Sequence, residues 1–337
     1  MRAQSVTMKD VATASGVTVG TVSAILRGSR DRIFYSDATR DRVVAVVARL
    51  GYRVNHTARN LREGKTRTVG VMLDDITLPF LAALIRAAGT ALERQGYSII
   101  LCRVDAAGAA REALLRIFAS GHIDSFMLAG ALTQLSDSDI LDIHKRGHRL
   151  VLLERESPDP AIASVGVNNT MGGRLAAKRL LQRGGRRFVV LGGPCGNPMV
   201  IQRLEGARAA WRAAGIPASA ITVLEAGGWT AELGYAAMRR QLASGAPPDA
   251  VFACNDLLAL GAMRALREQG LAIPDVVAVA GFDDSTLAAF TDPPLTTIRQ
   301  PAELMGQAAA EALVTPAAEY SAKQQLFTPE IIVRQSA

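Results

Sequence analysis

The sequence predicts a small all-α module followed by a larger, two-lobed α/β core with parallel sheets. Two observations carry this prediction: apolar residues recur at helical spacing through residues 7–50, and from residue 68 short apolar runs alternate with helical segments. Runs of that kind are typical of parallel strands that are covered on both faces. A chain of 337 residues is long enough for two or three cores of this sort.

Three helices are predicted in the first module, each with an N-cap and the first and third with a glycine at the end. The caps are Thr7, Thr18 and Ser36, and the terminating glycines are Gly16 and Gly51. Two short helices joined by a tight glycine turn, followed by a third helix, form a unit of helix-turn-helix type. Residues 55–63 then have helical composition, but nine residues are too few for an isolated helix in water. We therefore expect a helix there that forms only under certain conditions.

The charge of the chain is concentrated in this first module. Residues 1–67 contain 13 basic and 5 acidic residues, a net charge of +8, whereas the rest of the chain has 25 and 26, a net charge of −1. A solvated basic face is one explanation, and a nucleic-acid partner with its phosphate backbone is the other.

The core contains two successive sets of predicted strands, which favours two lobes. The strands are predicted at 69–73, 98–102, 125–129 and 150–153, and then at 188–191, 222–224, 251–254 and 277–280. Pro293-Pro294 ends the second set before one more strand and a helix from Pro301. Because ligands bind at the carboxyl ends of parallel strands, a cleft between the lobes is the expected binding site.

Composition narrows the class of protein. The three cysteines show no CxxC pair, which argues against a disulfide framework or a zinc ribbon. No apolar stretch reaches the roughly 18 residues of a membrane span, and the first residues lack the apolar core of a signal peptide. We expect a cytoplasmic protein that needs neither metal nor cofactor.

Four segments resemble the lactose-repressor (LacI) family of bacterial transcriptional regulators. They are VTMKDVATASGVTVGTVSAIL, NHTARNLREGKTRTVGV, FACNDLLALGAMRALREQGLAIPDVVAVAGFDD and PPLTTIRQP, in this order along nearly the whole chain. The resemblance implies a helix-turn-helix head, a hinge helix and a periplasmic-binding-protein-like core. It also implies a homodimer that binds a near-palindromic DNA operator under the control of a small-molecule effector such as a sugar or sugar acid.

By resemblance, the helix after Thr18 enters the DNA major groove, and Val19, Gly20 and Ala24 face the bases. None of these three can make a bidentate hydrogen bond to a base, so Arg27 is a candidate for a substitute contact. The hinge residues Ala58 and Leu61 match minor-groove positions. The remaining expected DNA contacts are short polar side chains suited to phosphate oxygens, and these are Thr7, Thr18, Thr21, Ser23, Ser36, Thr39 and Asn55. Capping alone would equally explain Thr7 and Ser36, and packing would explain Val19 and Ala24.

The resemblance also implies which core residues bind the effector. Aromatic rings are expected from Phe80 and Trp229, and polar contacts from Glu154, Asn197, Arg203, Asn255 and Asp283. Arginine can hold a carboxylate or phosphate bidentately, while aspartate accepts hydrogen bonds from hydroxyls. Two positions depart from the sugar-binding members, because Leu78 replaces a frequent Asn and Glu154 a frequent Asp.

The expected domains are the head at 1–54, the hinge helix and linker at 55–67, and the effector-binding and dimerisation core at 68–337. Within the core we expect an N-lobe of about 68–166 and 296–322, and a C-lobe of about 167–295 and 323–337. The C-terminal segment contains no leucine heptad of the kind that joins two dimers, so we expect a dimer and not a tetramer.

Two other classes share parts of this pattern. A solute-binding protein would have the same core but would need an export signal and no basic head. A sugar-metabolising enzyme is the other alternative, yet GKT at 64–66 lacks the earlier glycine of a phosphate-binding loop, and no HExxH or GxGxxG motif is present. The sequence is compatible with activation as well as repression, and with a corepressor as well as an inducer.

Overall fold

The computed structural model describes residues 6–27, 34–52, 66–73, 75–103, 110–129, 135–315 and 321–337. The chain divides into two compact units, Met1–Thr66 and Arg67–Ala337, and each is described by itself below. The predicted combination of an all-α head with a two-sheet, parallel-rich α/β core is confirmed.

The head consists of three helices around a small apolar core. They are α1 (Met8–Ser15), α2 (Val19–Arg27) and α3 (Asp37–Leu50). Val11, Val22, Ile25 and Val43 are buried at their contacts, because each helix turns its apolar face toward the other two.

The first sheet of the core belongs to the N-lobe and is entirely parallel. Its strands are β1 (Thr68–Leu73), β2 (Ser98–Arg103), β3 (Ser125–Ala129), β4 (Arg149–Leu153), β5 (Ala163–Val167) and β11 (Gln324–Phe327), in the order β11-β5-β4-β3-β1-β2. One face is covered by α4 (Pro79–Arg94) and α11 (Ala302–Val314), and the other by α5 (Ala110–Ala119) and α6 (Asp137–Lys145). Cover on both faces explains why β3 is apolar and buried along its length.

The second sheet belongs to the C-lobe. Its strands are β6 (Phe188–Gly192), β7 (Ile221–Glu225), β8 (Ala250–Ala253), β9 (Ala278–Asp283), β10 (Thr296–Arg299) and β12 (Glu330–Ile332), in the order β12-β10-β9-β8-β6-β7. Only the β10–β12 pair is antiparallel. The helices α7 (Asn169–Gln182) and α8 (Pro198–Ala213) cover one face, and α9 (Ala231–Ser244) and α10 (Asp256–Glu268) cover the other.

The structure corrects the predicted boundaries between the two lobes in the last part of the chain. Residues 296–299 were assigned to the N-lobe, but β10 pairs with β9 in the C-lobe sheet. Residues 324–327 were assigned to the C-lobe, but β11 pairs with β5 in the N-lobe sheet. The strand β5 was not predicted at all. Its sequence, ASVGV, contains a serine and a glycine, so its apolar signal is weak.

Two helices of the C-lobe approach each other at glycines. A Cβ atom on Gly173 of α7 would lie 1.9 Å from the carbonyl oxygen of Arg203, and one on Gly206 of α8 would lie 1.9 Å from that of Thr170. Such distances exclude any side chain at these two positions. The close contact therefore fixes the position of α8, which carries Arg203.

Candidate functional site

The turn between α1 and α2 is organised by threonine caps. Thr7 Oγ1 accepts a hydrogen bond from the Asp10 N–H at 3.4 Å, and the Asp10 carboxylate accepts one from the Thr7 N–H at 2.8 Å, which completes a capping box. Gly16 then has a left-handed φ of +66°. Thr18 Oγ1 accepts from the Thr21 N–H at 3.1 Å and begins α2. Gly16 ends α1 and Thr18 begins α2, so only residues 16–18 separate the two helices.

The exposure of α2 separates the residues that were expected to face DNA. Thr18, Val19 and Gly20 are exposed at its N-terminus, with 45% of Val19 accessible. Ala24 is only 4% exposed and packs within the core of the head, so the prediction that it faces the bases is wrong. Ser23 is buried as well, which corrects its assignment as a phosphate contact. The physical reason is that α2 packs against both α1 and α3, so more than one of its faces is covered.

Ser36 and Thr39 lie at the N-terminus of α3. Ser36 Oγ accepts from the Thr39 N–H at 3.2 Å, and the two hydroxyl oxygens are 2.9 Å apart. A helix N-terminus of this kind suits a phosphate oxygen. The Arg27 side chain and the hinge residues Asn55, Ala58 and Leu61 lie outside the described residues.

The cleft of the core lies where strands of both lobes end. Its lining comes from the start of α4 after β1, from the residue after β4, from the segments that follow β6, β7 and β8, and from the end of β9. The lining residues are Leu78, Pro79, Phe80, Leu81, Glu154, Met199, Arg203, Trp229, Asn255 and Asp283. The topology thus places side chains from distant parts of the sequence around one cavity.

Six of the seven residues expected to bind an effector line this cavity, and Asn197 does not. The Asn197 side chain instead caps α8, because its Oδ1 accepts from the Met199 N–H at 2.9 Å and the Val200 N–H at 3.4 Å. Among the lining residues, Pro79, Leu81 and Met199 were not singled out from the sequence. An apolar residue beside a helix start has no local feature that distinguishes pocket lining from core.

Arg203 is held rigidly by the protein. Its Nε donates to Asn169 Oδ1 at 2.8 Å, its Nη1 donates to the Cys254 carbonyl, and its Cζ lies 3.6 Å from the centroid of the Phe282 ring. Only 2% of the residue is exposed. These two bonds use two of the five guanidinium N–H groups, so the others can still donate to a ligand in the cleft.

Asp283 ends β9 with an unusual backbone φ of +114°. Its Oδ1 accepts from Gln300 Nε2 at 2.8 Å. Burial raises the pKa of Asp283 to about 7, while Arg203 lowers this pKa and Glu154 raises it further. Such a carboxyl group can accept a hydrogen bond from a ligand hydroxyl or, when protonated, donate one.

A second buried carboxyl group, Asp256, was not identified from the sequence. Asp256 Oδ1 accepts from the Thr297 hydroxyl at 2.5 Å, and Oδ2 accepts from the Ser285 N–H at 2.7 Å. Burial, and then the charge of Asp283, raise the pKa of Asp256 to about 8. The bonds of Asp256 hold the segment directly after Asp283, so Asp256 supports the cleft without lining it.

The aromatic and amide side chains of the cleft are positioned by backbone contacts. A Cβ atom on Gly193 would lie 2.7 Å from Cζ2 of Trp229, so the indole rests on a glycine backbone. Asn255 Oδ1 caps α10 by accepting from the Leu258 N–H at 2.8 Å, and Asn255 Nδ2 donates to the Trp229 carbonyl at 3.0 Å. These contacts fix the indole and the amide in the cleft before any ligand enters.

The composition of the cleft favours a neutral ligand with hydroxyl groups. Two carboxyl groups face a single arginine, so there is no excess of positive charge for an anion, and Phe80 and Trp229 offer apolar surface. The cavity is about 40 Å³, far below the roughly 300 Å³ of ordinary ligand pockets. The cavity is therefore too small, as it stands, for a ligand of the size of a sugar ring.

A larger groove of about 700 Å³ lies on the C-lobe between α9 and α10. Tyr235 and Arg264 in its wall both donate to the Glu268 carboxylate. This groove shares no lining residue with the cleft. Among the described residues no group of three metal-ligating side chains comes together, and no described helix has the length and apolar character to cross a membrane.

Comparison with known proteins finds relatives along nearly the whole chain. The family model for bacterial regulatory proteins of the lacI family matches residues 7–55, and that for a periplasmic binding protein-like domain matches residues 177–337. The regulator CelR of Thermobifida fusca is 36% identical over 318 residues, which is 91% of each chain. The ribose operon repressor of Escherichia coli (strain K12) is 32% identical over 335 residues, which is 98% of this chain and 99% of the repressor.

Solved structures are similar over the same length. A complex of the regulator CelR with cellobiose has a TM-score of 0.72 at 32% identity and covers 98% of this chain and 100% of that one. A Lac repressor dimer bound to operator and an anti-inducer has a TM-score of 0.85 at 26% identity and covers 99% of each chain. These matches confirm the resemblance seen in the sequence, and the relatives are transcriptional regulators, not enzymes. The chain belongs to the LacI family of bacterial transcriptional regulators.

Proposed function

We propose that this chain represses transcription by binding a near-palindromic DNA operator as a homodimer, and that a neutral saccharide bound between the core lobes controls its affinity for the operator. The observation that carries the proposal is the cleft, where Glu154, Arg203, Asn255 and Asp283 meet the ring of Trp229 at the strand ends. Carboxyl and amide groups pair with hydroxyls, while aromatic faces cover the apolar faces of a sugar ring.

The sugar acid considered from the sequence is the less favoured ligand. Arg203 is its expected anchor, but Glu154 and Asp283 line the same cleft, and their carboxyl groups oppose a further negative charge. The relatives support a neutral sugar, because one is solved with cellobiose and another is named as a ribose operon repressor. Which neutral sugar acts on this chain is decided by the lining of its own cleft.

On the DNA side, we propose that the exposed start of α2 lies in the major groove and that the caps bind phosphates. The proposed base contacts are Val19 and Gly20, with Arg27 as a further candidate from the sequence. The phosphate contacts are Thr7, Thr18, Thr21, Ser36, Thr39 and Asn55, and the hinge contacts in the minor groove are Ala58 and Leu61.

We propose that DNA binding and effector binding belong to different domains. The head at 1–54 and the hinge at 55–67 bind DNA, and the core at 68–337 binds the effector and the second subunit. We place this regulator in the cytoplasm, where the DNA is, and assign it no enzymatic activity.

The test is operator mapping followed by titration. Genomic fragments that co-purify with the full chain are sequenced, and binding of the enriched site is measured by fluorescence anisotropy. We expect the enriched site to bind at least about 10³-fold more tightly than random DNA, with a steep dependence on salt. Equal affinity for enriched and random DNA would contradict the proposal. Addition of neutral sugars then shows whether the effector releases the operator or strengthens binding.

A further inference from the structure

The charge of the second unit is unevenly distributed along the chain. The unit contains 26 basic and 26 acidic residues in total. Residues 169–215, which form α7, β6 and α8 with their connections, contain nine basic residues and one acidic residue, a net charge of +8. The rest of the unit has 17 basic and 25 acidic residues, a net charge of −8. This segment therefore carries at least as much positive charge as the first unit, whose net charge is +7.

Most of these cations lie on the outer surface of α7 and α8. The two helices pack side by side over one face of the C-lobe sheet, and their close contact at Gly173 and Gly206 makes their outer sides one surface. Cations four residues apart on each helix project to the same side of that helix. We name as the basic face the six exposed cations of α7, of the turn after α7 and of α8, which are Arg174, Lys178, Arg183, Arg186, Arg208 and Arg212.

The charge of the basic face is not neutralised by neighbouring side chains. None of its six cations forms an ion pair with a carboxylate in the described part of the chain, whereas the adjacent Arg187 pairs with Asp249 at 2.8 Å. The remaining basic residues of the segment point inward, because Arg179 donates to the Ala337 carbonyl and Arg203 to the Cys254 carbonyl. The basic face is therefore available to a partner outside the chain.

Helix dipoles explain only part of the basic face. Cations stabilise the last turn of a helix, and this accounts for Arg183 at the end of α7 and Arg212 in the last turn of α8. Arg174 and Arg208 lie inside their helices, away from both ends. The dipole effect falls off within one turn, so it gives no reason for cations at these two positions.

The arrangement of the charges indicates the class of partner. None of the six cations lines the cleft or the groove between α9 and α10. Charge that is spread over two helices and a turn suits a long polyanion better than a small anion. Five of the six are arginines, whose planar guanidinium groups match phosphate oxygens.

We propose that the basic face is a second DNA-binding surface, which contacts the phosphate backbone of duplex DNA without reading its sequence. Duplex DNA is the polyanion that a transcriptional regulator meets in any case, and backbone contacts by lysine and arginine add affinity on every sequence. The negative charge of the rest of the unit repels DNA, so the basic face is the part of the core where DNA can approach.

One fourfold variant and one matched control test the proposal. The face variant removes four charges from α7 and α8, by Arg174→Gln, Lys178→Gln, Arg208→Gln and Arg212→Gln. The control removes four exposed cations that also lack an ion pair among the described residues, but from other parts of the same unit, by Arg94→Gln, Lys145→Gln, Arg240→Gln and Lys323→Gln. Both variants change the net charge equally, and glutamine keeps the helix propensity of arginine and lysine.

The measurement is fluorescence anisotropy of a labelled random-sequence duplex, titrated with the full chain between about 50 and 300 mM KCl. Each phosphate contact contributes about 0.9 to the slope of log K against log salt, so we expect the slope of the face variant to be shallower by at least about 1.8. At the lowest salt concentration we also expect at least about tenfold weaker binding. The control is expected to keep the slope and affinity of the wild type.

Two results would overturn the proposal. The first is a face variant that matches the control, whether both lose affinity for DNA or neither does. The second comes from a parallel titration with labelled poly-L-glutamate, because loss of binding to this peptide with unchanged binding to DNA would assign the basic face to an acidic protein partner. Preference for the enriched operator tests the head, so either proposal can fail without the other.

Circular dichroism melting shows whether the face variant is folded. If it is not, the two double variants decide, one with Arg174→Gln and Lys178→Gln on α7 and the other with Arg208→Gln and Arg212→Gln on α8. Each is then expected to make the slope shallower by about 0.9 or more relative to the wild type. Unchanged slopes in both double variants would contradict the proposal.

Discussion

At the scale of single residues, the neighbours of a side chain decide what it can do. Asn197 and Asn255 both cap helices that start at the strand ends, yet only Asn255 lines the cleft. Arg203 has the chemistry to bind an anion, and its bonds to Asn169 and to the Cys254 carbonyl hold it in one position, but two carboxyl groups in the cleft offset its charge. Residue type gave the candidates, and burial and hydrogen bonding gave their roles.

The buried carboxyl group of Asp256 predicts a dependence of stability on pH. Burial and Asp283 raise its pKa from 3.8 to about 8, so the folded chain holds this proton more tightly than the unfolded chain. The resulting stabilisation is complete below about pH 4 and is lost as the pH rises to about 8. Asp256→Asn resembles the protonated form, and between pH 5 and 8 we expect the wild type to lose on the order of 2 kcal/mol more unfolding free energy than this variant.

Urea unfolding at several pH values measures this difference. The exposed Asp275→Asn serves as the control, and its stability is expected to follow that of the wild type. If the unfolding free energies of Asp256→Asn and the wild type change in parallel with pH, the Asp256 proton does not contribute to the pH dependence of stability.

The different exposure of Val19 and Ala24 predicts different effects of the same substitution. Val19→Gln adds a polar side chain on the exposed start of α2, so we expect a folded head with an altered base preference at one operator position. Ala24→Gln forces a larger polar side chain into the core of the head, at a cost of about 1–3 kcal/mol. Thermal unfolding and a panel of operator variants measure the two effects. A fully stable Ala24→Gln head with changed base preference would restore Ala24 as a base contact.

At the scale of elements, helix contacts position the binding residues. The α7–α8 pair is the clearest case, because Gly173 meets the backbone of Arg203 itself. A side chain at this glycine would push α8 away from α7 and would move the guanidinium relative to the cleft.

Gly173→Ala is therefore expected to affect both stability and effector binding. Its Cβ would lie 1.9 Å from the Arg203 carbonyl oxygen, so we expect a loss of about 2–4 kcal/mol in unfolding free energy and a weaker effector complex. Gly89→Ala in α4 is the control, because its Cβ would meet only the flexible end of Ile99 at 3.3 Å. Helix propensity even favours alanine there by up to about 1 kcal/mol. Equal stability of the two variants, measured by urea unfolding, would contradict the close contact.

At the scale of the whole molecule, the chain has two units with different charges and separate cores. The first unit, Met1–Thr66, has 12 basic and 5 acidic residues, a net charge of +7, whereas the second has 26 of each and contains the two sheets and the cleft. Compact units with separate cores are expected to fold separately.

Removal of residues 1–65 is expected to abolish operator binding and to leave effector affinity within about twofold of the full chain, which is within about 0.4 kcal/mol. Calorimetry with a neutral sugar that binds the full chain and anisotropy with operator DNA measure the two activities. As a matched comparison, Leu61→Ala in the full chain is expected to weaken operator binding more than random-DNA binding, because we propose that Leu61 inserts between two base pairs of the minor groove only at the specific site. A truncated core that no longer binds the sugar would show that the two units depend on each other.

The sequence by itself determined the local features of this protein: the capped helices of the head, from Thr7 to Gly51, nine strands of the core, and six residues of the cleft. These follow from short-range signals such as caps, apolar spacing and family motifs. Only the tertiary structure decided that β10 and β11 belong to opposite sheets, that Ala24 is buried, and that Asn197 caps a helix outside the cleft lining. The physical reason is that a short apolar strand or a small helical residue fits several partners equally well, and long-range packing selects one of them.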